Sequence, residues 1–289
     1  MKIVQVLTQS GLENGEGHFV RQKALQKKLN GKDISLELHL HFSSLSERLK
    51  NPSKNDSDLI ILDLPKASQQ FCSKLQSEGY RIFAFDWMAK DSPNYNLILV
   101  EHPFEKFPFI TKKFVGLEFF MVREEVSLLI NKPPSIRSPE YCLITMGGGA
   151  EVATLNDVEA RISKVWSGQV IKVIGSHKGS LSEIQEKDTL QSPPDYPYLL
   201  ASAALVATNG GSSLVEALCL KKKTISFPRN LHEFSFANKL KSSGAIFELD
   251  EDYARIYPKQ SLINPDNTFG NMLTATGTNR VSEIIYGLI

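Results

Sequence analysis

The chain has 289 residues, 42% hydrophobic and 22% charged, with 33 Lys plus Arg against 32 Asp plus Glu. That length holds two domains of ordinary size, and the composition excludes a disordered or fibrous chain. The near-zero charge balance provides no broad positive field for nucleic acid or an anionic membrane.

In chain order, an apolar strand is predicted at 3–7, too short to be the core of a signal peptide and interrupted by Gln5. Helical spacing follows at 18–29, a strand at 59–64, a helix at 67–76, and strands at 81–85 and 97–100. The stretch 131–139 reads NKPPSIRSP, whose prolines break helix and mark a seam, giving domains of residues 1–133 and 134–289. Beyond it come a strand at 142–146, a helix at 155–166, strands at 170–174 and 204–207, a helix at 212–220, a strand at 224–227, a helix at 233–241 and a strand at 245–249. The last residues, 279–288, have helical apolar spacing, and that helix can cross back to the first domain. No run is long and apolar enough to span a bilayer. Short, nearly all-apolar strands alternating with helices predict an α/β fold with parallel sheets covered on both faces. Three widely spaced cysteines, Cys72, Cys142 and Cys219, read as buried reduced thiols in a cytoplasmic protein, without metal-ligand spacing.

Two turns stand out as phosphate-binding candidates. The strand at 204–207 runs into Thr208-Asn209-Gly210-Gly211-Ser212-Ser213 and then a helix. Two glycines allow a sharp turn and close approach, Ser212 or Ser213 can cap the helix, and the positive helix end favours an anion. The strand at 142–146 ends in Gly147-Gly148-Gly149, a costly run unless something must come close. Both turns lie at strand C-terminal ends, where open α/β sheets bind ligands. Glu216, early in the helix, is placed to take ribose hydroxyls or simply to complement the helix dipole. The loop Pro228-Arg229-Asn230-Leu231-His232-Glu233 opens the next helix beside the glycine turn, and Arg229, Asn230, His232 and Glu233 are its polar candidates.

In the first half, Gly15-Glu16-Gly17-His18 leads into a helix. The helix dipole favours a neutral imidazole there, suited to accept a proton. Arg21, one turn on, is read as orienting Glu16, contacting a phosphate, or sitting in solvent. Arg123-Glu124-Glu125 reads as a structural ion-pair cluster. Asp56-Ser57-Asp58 and Asp250-Glu251-Asp252 resemble metal-binding aspartate pairs but lack the strand context, and surface charge is the better reading.

The stretch 195–240, with Gly210, Gly211, Ser212, Glu216-Ala217-Leu218, Pro228 and His232-Glu233, resembles the nucleotide-sugar half of glycosyltransferase-B proteins. Three segments sharpen the likeness. GEGHFVR at 15–21 is similar to the Gly-x-Gly-His-x-x-Arg segment of the UDP-sugar hydrolase of pseudaminic acid biosynthesis and related spore-coat polysaccharide proteins. GLEFFMVREEV at 116–126 and LITMGGG at 143–149 match further segments of that family, and GTNRVSEII at 277–285 resembles its terminal helix. The resemblance implies two Rossmann-like domains of glycosyltransferase-B type facing a central cleft. It implies UDP held by the second domain through Gly147, Gly148, Gly149, Asn209, Gly210, Gly211, Ser212, Ser213 and Glu216. It implies His18 as catalytic residue, with Gly15, Gly17, Arg21, Asn230, His232 and Glu233 in substrate loops.

The implied reaction is hydrolysis of a UDP-linked amino or deoxy sugar at C1 in surface-glycan biosynthesis, with no cofactor, no metal, no nucleic acid and no stable membrane insertion. Two departures bear on it. The family's Tyr shortly after the Asp matched by Asp63 is absent, Leu64-Pro65 standing there. The family's Asn-Gln is replaced by Leu231-His232, which is closer to transferases. A UDP-sugar-dependent glycosyltransferase and a non-catalytic nucleotide-sugar binder are the alternatives. The sugar and the oligomeric state are not set by the sequence.

Overall fold

The computed structural model describes residues 1–10, 17–64, 69–85, 96–99, 112–115, 119–132, 141–148, 150–175, 188–229, 233–234, 248–250, 253–255 and 276–289. Contacts divide the chain into a first unit of Met1–Ser10, His18–Met121 and Ala275–Ile289, and a second of Gly11–Gly17 and Val122–Thr274.

The first unit is built from β1 (Lys2–Thr8), α1 (Gly17–Asn30), β2 (Ile34–His39), α2 (Phe42–Lys50), β3 (Asp56–Asp63), α3 (Gln69–Ser77), β4 (Arg81–Phe85), β5 (Asn96–Leu99) and β6 (Lys112–Val115). Its six strands lie in the order β2-β1-β3-β4-β5-β6, all parallel. Val4, Val6, Ile60, Ile61, Phe83 and Phe85 are fully buried, as parallel strands covered by crossover helices require. Leu25 and Leu29 of α1 and Leu45 of α2 are among the residues that bury the helices.

The second unit contains α4 (Glu124–Asn131), β7 (Tyr141–Thr145), α5 (Val152–Ile162), β8 (Gln169–Ile174), β9 (Thr189–Gln191), α6 (Tyr196–Ser202), β10 (Leu205–Thr208), α7 (Ser212–Cys219), β11 (Lys223–Ser226), and a separate antiparallel pair, β12 (Glu248–Asp250) with β13 (Tyr253–Arg255). Its parallel sheet has the order β11-β10-β7-β8-β9. Successive residues of one strand serve opposite faces. Cys142 and Ile144 pack with Leu155, Val158 and Ile162 of α5, whereas Leu143 packs with Tyr196 and Leu200 of α6 and Ala217 of α7. The sheet is therefore covered on both sides, and an α/β fold with parallel sheets is what the alternating pattern predicts.

The final helix, α8 (Gly277–Leu288), groups with the first unit. The sequence pattern places no element at 34–50, 112–132 or 188–202, where the structure has β2, α2, β6, α4, β9 and α6. These are short or edge elements, and only one side of β2 and α2 is well buried, so their apolar signal is weak. Of the proline-rich seam, Asn131 ends α4, Lys132 caps it, and the rest lies outside the described residues. Of the helix predicted at 233–241, only 233–234 are described, and they are helical. Cys72, Cys142 and Cys219 are buried and none is in a disulfide; burial pushes the Cys142 thiol up to about 12. Among the described residues no helix is long and apolar enough to cross a membrane.

Gly277 lets α8 start directly against the backbone of Phe120: a Cβ there would lie 2.0 Å from the Phe120 carbonyl oxygen. Gly277→Ala is therefore expected to destabilise the fold by about 1–3 kcal/mol in urea unfolding, the cost of overpacking. Gly287→Ala on the same helix, where a Cβ meets open space, serves as the control and should be neutral or slightly stabilising.

Candidate functional site

In the first unit the strand order reverses between β1 and β3, so their C-terminal ends form the crevice where α/β sheets of this kind take ligands. Thr8 ends β1 directly opposite Asp63, which ends β3. The chain leaving β1 becomes α1, whose His18, Arg21 and Gln22 lie three and four residues apart and share one helix face. All three converge on Asp63, which is fully buried. His18 Nδ1 lies 2.7 Å from Oδ1, Arg21 Nε donates to Oδ2 at 2.8 Å and its Nη2 donates to Oδ1, and Gln22 Nε2 donates to Oδ2 at 2.8 Å. Arg21 also stacks 5.6 Å from the Phe85 ring centroid.

Burial is the largest influence on the Asp63 carboxyl and pushes it up, but the charges and hydrogen bonds of Arg21 and His18 hold it well below the usual carboxylate range. Asp63 is thus ionised and only accepts hydrogen bonds. With Asp63 ionised, the 2.7 Å contact is made by a proton on His18 Nδ1, which makes Nε2 the acceptor nitrogen of that tautomer. Arg21 is 3% exposed, which a solvated position does not fit, and its guanidinium is paired with Asp63. Sequence reading noted Asp63 only for the missing Tyr after it. The signal in the sequence is a carboxylate directly after the wholly apolar run 59–62.

In the second unit the order reverses between β7 and β10, with Thr145 opposite Thr208. Both glycine turns leave from that point. Gly147 has φ 77°, in the left-handed region. A Cβ on it would lie 3.4 Å from Asn209 Nδ2 and 3.7 Å from Arg229 Nη2. Gly148 lies against Gly175 at the end of β8, where a Cβ would come 2.3 Å from the Gly148 oxygen. Gly210 admits the backbone of Glu233, whose oxygen a Cβ would meet at 2.5 Å.

Gly211 is the N-cap of α7, and no side chain caps the helix. This corrects the expectation that Ser212 or Ser213 caps it. The cap position is already taken by extended Gly211, the serines are the first two helical residues, and Ser213 Oγ accepts from Tyr196 at 3.2 Å. Burial first, and then the charge of Glu216, push the Tyr196 phenol up, so it stays protonated and donates.

Glu216 is 2% exposed. Its Oε1 accepts from Arg123 Nε at 2.8 Å, and Arg123 lies 4.7 Å over the Tyr196 ring. Its Oε2 is buried with no hydrogen-bond partner among the described residues. Arg123 thus pairs with a residue 93 positions away, while Glu124 and Glu125 are exposed in the first turn of α4. Glu233 is buried and accepts from Asn209 Nδ2 at 2.7 Å, Arg229 N at 2.7 Å and Arg229 Nη2 at 3.1 Å.

The structure therefore brings together Gly147, Gly148, Asn209, Gly210, Gly211, Ser212, Ser213, Glu216 and Glu233 around one sheet edge. Gly17 is the first residue of α1. Gly15, Gly149, Asn230 and His232 lie outside the described residues. Arg123 and Tyr196 join the cluster without having been singled out as site residues, and Arg229 joins it as one of the polar candidates of its loop. Asp56 pairs with Arg48 and Asp58 with Arg81, in keeping with surface charge. Among the described residues no group of three or more His, Cys, Asp and Glu could hold a metal ion.

No protein-family model matches the chain, and no curated protein sequence matches it. Solved structures do match over nearly the whole length. UGT89C1 of Arabidopsis thaliana, complexed with UDP-L-rhamnose, shares 12% identity at a TM-score of 0.57, covering 97% of this chain and 93% of that one. The glycosyltransferase SsfS6 of Streptomyces sp. SF2575, complexed with thymidine diphosphate, shares 12% identity at 0.55, covering 99% and 100%. MurG of Acinetobacter baumannii shares 12% identity at 0.56, covering 99% and 100%. The chain has the α/β fold of glycosyltransferase-B proteins.

Asp63→Asn leaves Arg21 buried without its counter-ion and is expected to cost about 3–5 kcal/mol in urea unfolding. Because the Asp63 carboxyl is depressed in the fold, its contribution is complete above the unfolded carboxylate range, roughly pH 4–5. It is lost as pH falls below that range toward the folded value. Stability measured from pH 6 downwards should therefore fall less steeply in Asp63→Asn than in the parent.

Proposed function

We propose that the chain is a glycosyltransferase acting on a UDP-sugar donor, with His18 Nε2 as the base that activates the acceptor. The observation that carries this is the ionised, fully buried Asp63 accepting from Nδ1–H of His18, which makes Nε2 the acceptor nitrogen of the ring. As the acceptor oxygen attacks C1 of the sugar, its proton passes to Nε2. The bond from C1 to the diphosphate oxygen breaks, and the electron pair leaves with the nucleotide. Asp63 then faces an imidazolium and stabilises it without taking the proton.

The second unit is assigned the donor. The uncapped first turn of α7 and the Gly147 and Asn209–Gly211 turns suit the diphosphate. The ribose hydroxyls would supply the hydrogen bonds that buried Glu216 Oε2 lacks, relieving a penalty of about 1–3 kcal/mol. The fold shared with proteins crystallised with UDP-L-rhamnose and with thymidine diphosphate supports a nucleoside diphosphate sugar as donor. A second reading has water as the acceptor, which makes the enzyme a UDP-sugar hydrolase. The similarity of 15–21 to the hydrolase segment favours it, and the same His18–Asp63 pair serves it.

Incubation with a panel of UDP-sugars decides between them. UDP released only with an acceptor supports transfer, release in buffer alone supports hydrolysis, and no release with any donor and acceptor removes both. His18→Ala should lower kcat by about 100- to 10,000-fold, the size of a general-base contribution, while calorimetry shows the UDP Kd unchanged within about twofold. Glu216→Gln should weaken UDP by about tenfold and leave 2′-deoxy-UDP nearly unaffected.

A further inference from the structure

We propose that Arg229, together with Asn209, forms the seat of the donor's β-phosphate and supplies the positive charge that receives the leaving diphosphate; this rests on the nucleotide-sugar reading above. β11 is the neighbour of β10, and Phe227 N extends that pairing by donating to the Thr208 oxygen at 2.7 Å. The chain that leaves β11 therefore brings Arg229 to the edge from which Asn209 and Gly147 also depart.

Two –NH₂ groups wall the space that Gly147 leaves by having no side chain. An atom at its Cβ position would sit 3.4 Å from Asn209 Nδ2 and 3.7 Å from Arg229 Nη2. Each of these groups gives one hydrogen to Glu233 Oε1, at 2.7 and 3.1 Å. An –NH₂ carries two hydrogens, so one on each remains for a ligand. The other donors of the guanidinium, on Nε and Nη1, have no partner among the described residues, and the side chain is 33% exposed.

Glu233 makes this arrangement rigid. Its carboxylate is 8% exposed and turned inward, with Oε1 on Asn209 and Arg229 and Oε2 on the Arg229 backbone N–H. The pair is an oriented dipole with its cation outward. A planar fork beside the position a Gly147 side chain would take suits phosphate oxygens, which it can meet with two parallel hydrogen bonds. Any side chain at 147 would fill the seat.

The distinguishing ligands are UDP and UMP, which differ only in the β-phosphate. By calorimetry the parent should bind UDP at least tenfold more tightly than UMP. Arg229→Met should weaken UDP by about 10- to 100-fold, change UMP by less than threefold, and flatten the dependence of UDP affinity on salt. Arg229→Lys keeps the charge without the fork; it should retain the parent's melting temperature and fall between the two. Equal loss of UDP and UMP in both variants would mean that Arg229 only supports the turn, and overturns the proposal. So does unchanged UDP affinity in either. If the parent binds UDP and UMP equally, the phosphate seat alone is wrong. If the parent does not bind UDP at all, the nucleotide-sugar reading fails with it.

Discussion

Strands that run parallel deliver all their C-terminal ends to one edge of the sheet, and that constraint sets both halves of the candidate chemistry. At the point where the strand order reverses, the crossover connections depart to opposite sides and leave a gap no helix fills. In the first unit the gap falls between β1 and β3, and it is where His18, Arg21, Gln22 and Asp63 meet. In the second it falls between β7 and β10, where the Gly147 and Asn209 turns leave side by side. β11, one strand further, contributes Arg229 to the same edge.

Three nearly or fully buried carboxylates sit at these edges, and each is held by an arginine: Asp63 by Arg21, Glu216 by Arg123, Glu233 by Arg229. A buried charge is tolerated only when paired and hydrogen-bonded. What differs is how completely each is satisfied, and that difference separates their roles. Both oxygens of Asp63 are engaged, so it cannot bind a ligand and acts by holding a histidine proton. Glu233 is engaged on both oxygens as well and braces the turn that carries Asn209. Glu216 keeps one buried oxygen unmatched, so it is the carboxylate suited to a ligand's hydroxyls.

The chemistry of transfer and of hydrolysis diverges only in which oxygen loses its proton. On the proposed reading, a His18–Asp63 pair would activate either a sugar acceptor or water, and a diphosphate seat would serve both. The absent Tyr after Asp63 and the Leu231-His232 pair are departures from the hydrolase resemblance that touch sugar recognition and catalysis.

Much of the architecture is legible in the residues because its signals are local. Runs such as 59–63 and 142–145 are apolar on nearly every residue, which only a strand covered on both faces explains, and Gly147 and Gly210-Gly211 announce turns by backbone freedom alone. The edge elements β2 and β9 escape notice because one-sided burial leaves no dense apolar run. The candidate residues stand out in the sequence where chemistry and turn coincide, at His18 and Asn209. Their pairing is not legible where partners are remote: Arg21 reaches Asp63 across 42 residues and Arg123 reaches Glu216 across 93. A charged residue in a sequence looks the same whether it ends in solvent or in a buried pair. Only packing, which removes water and leaves each carboxylate a particular set of donors, decides that Arg21 is a brace, that Glu233 turns inward, and that Arg229 keeps donors to spare.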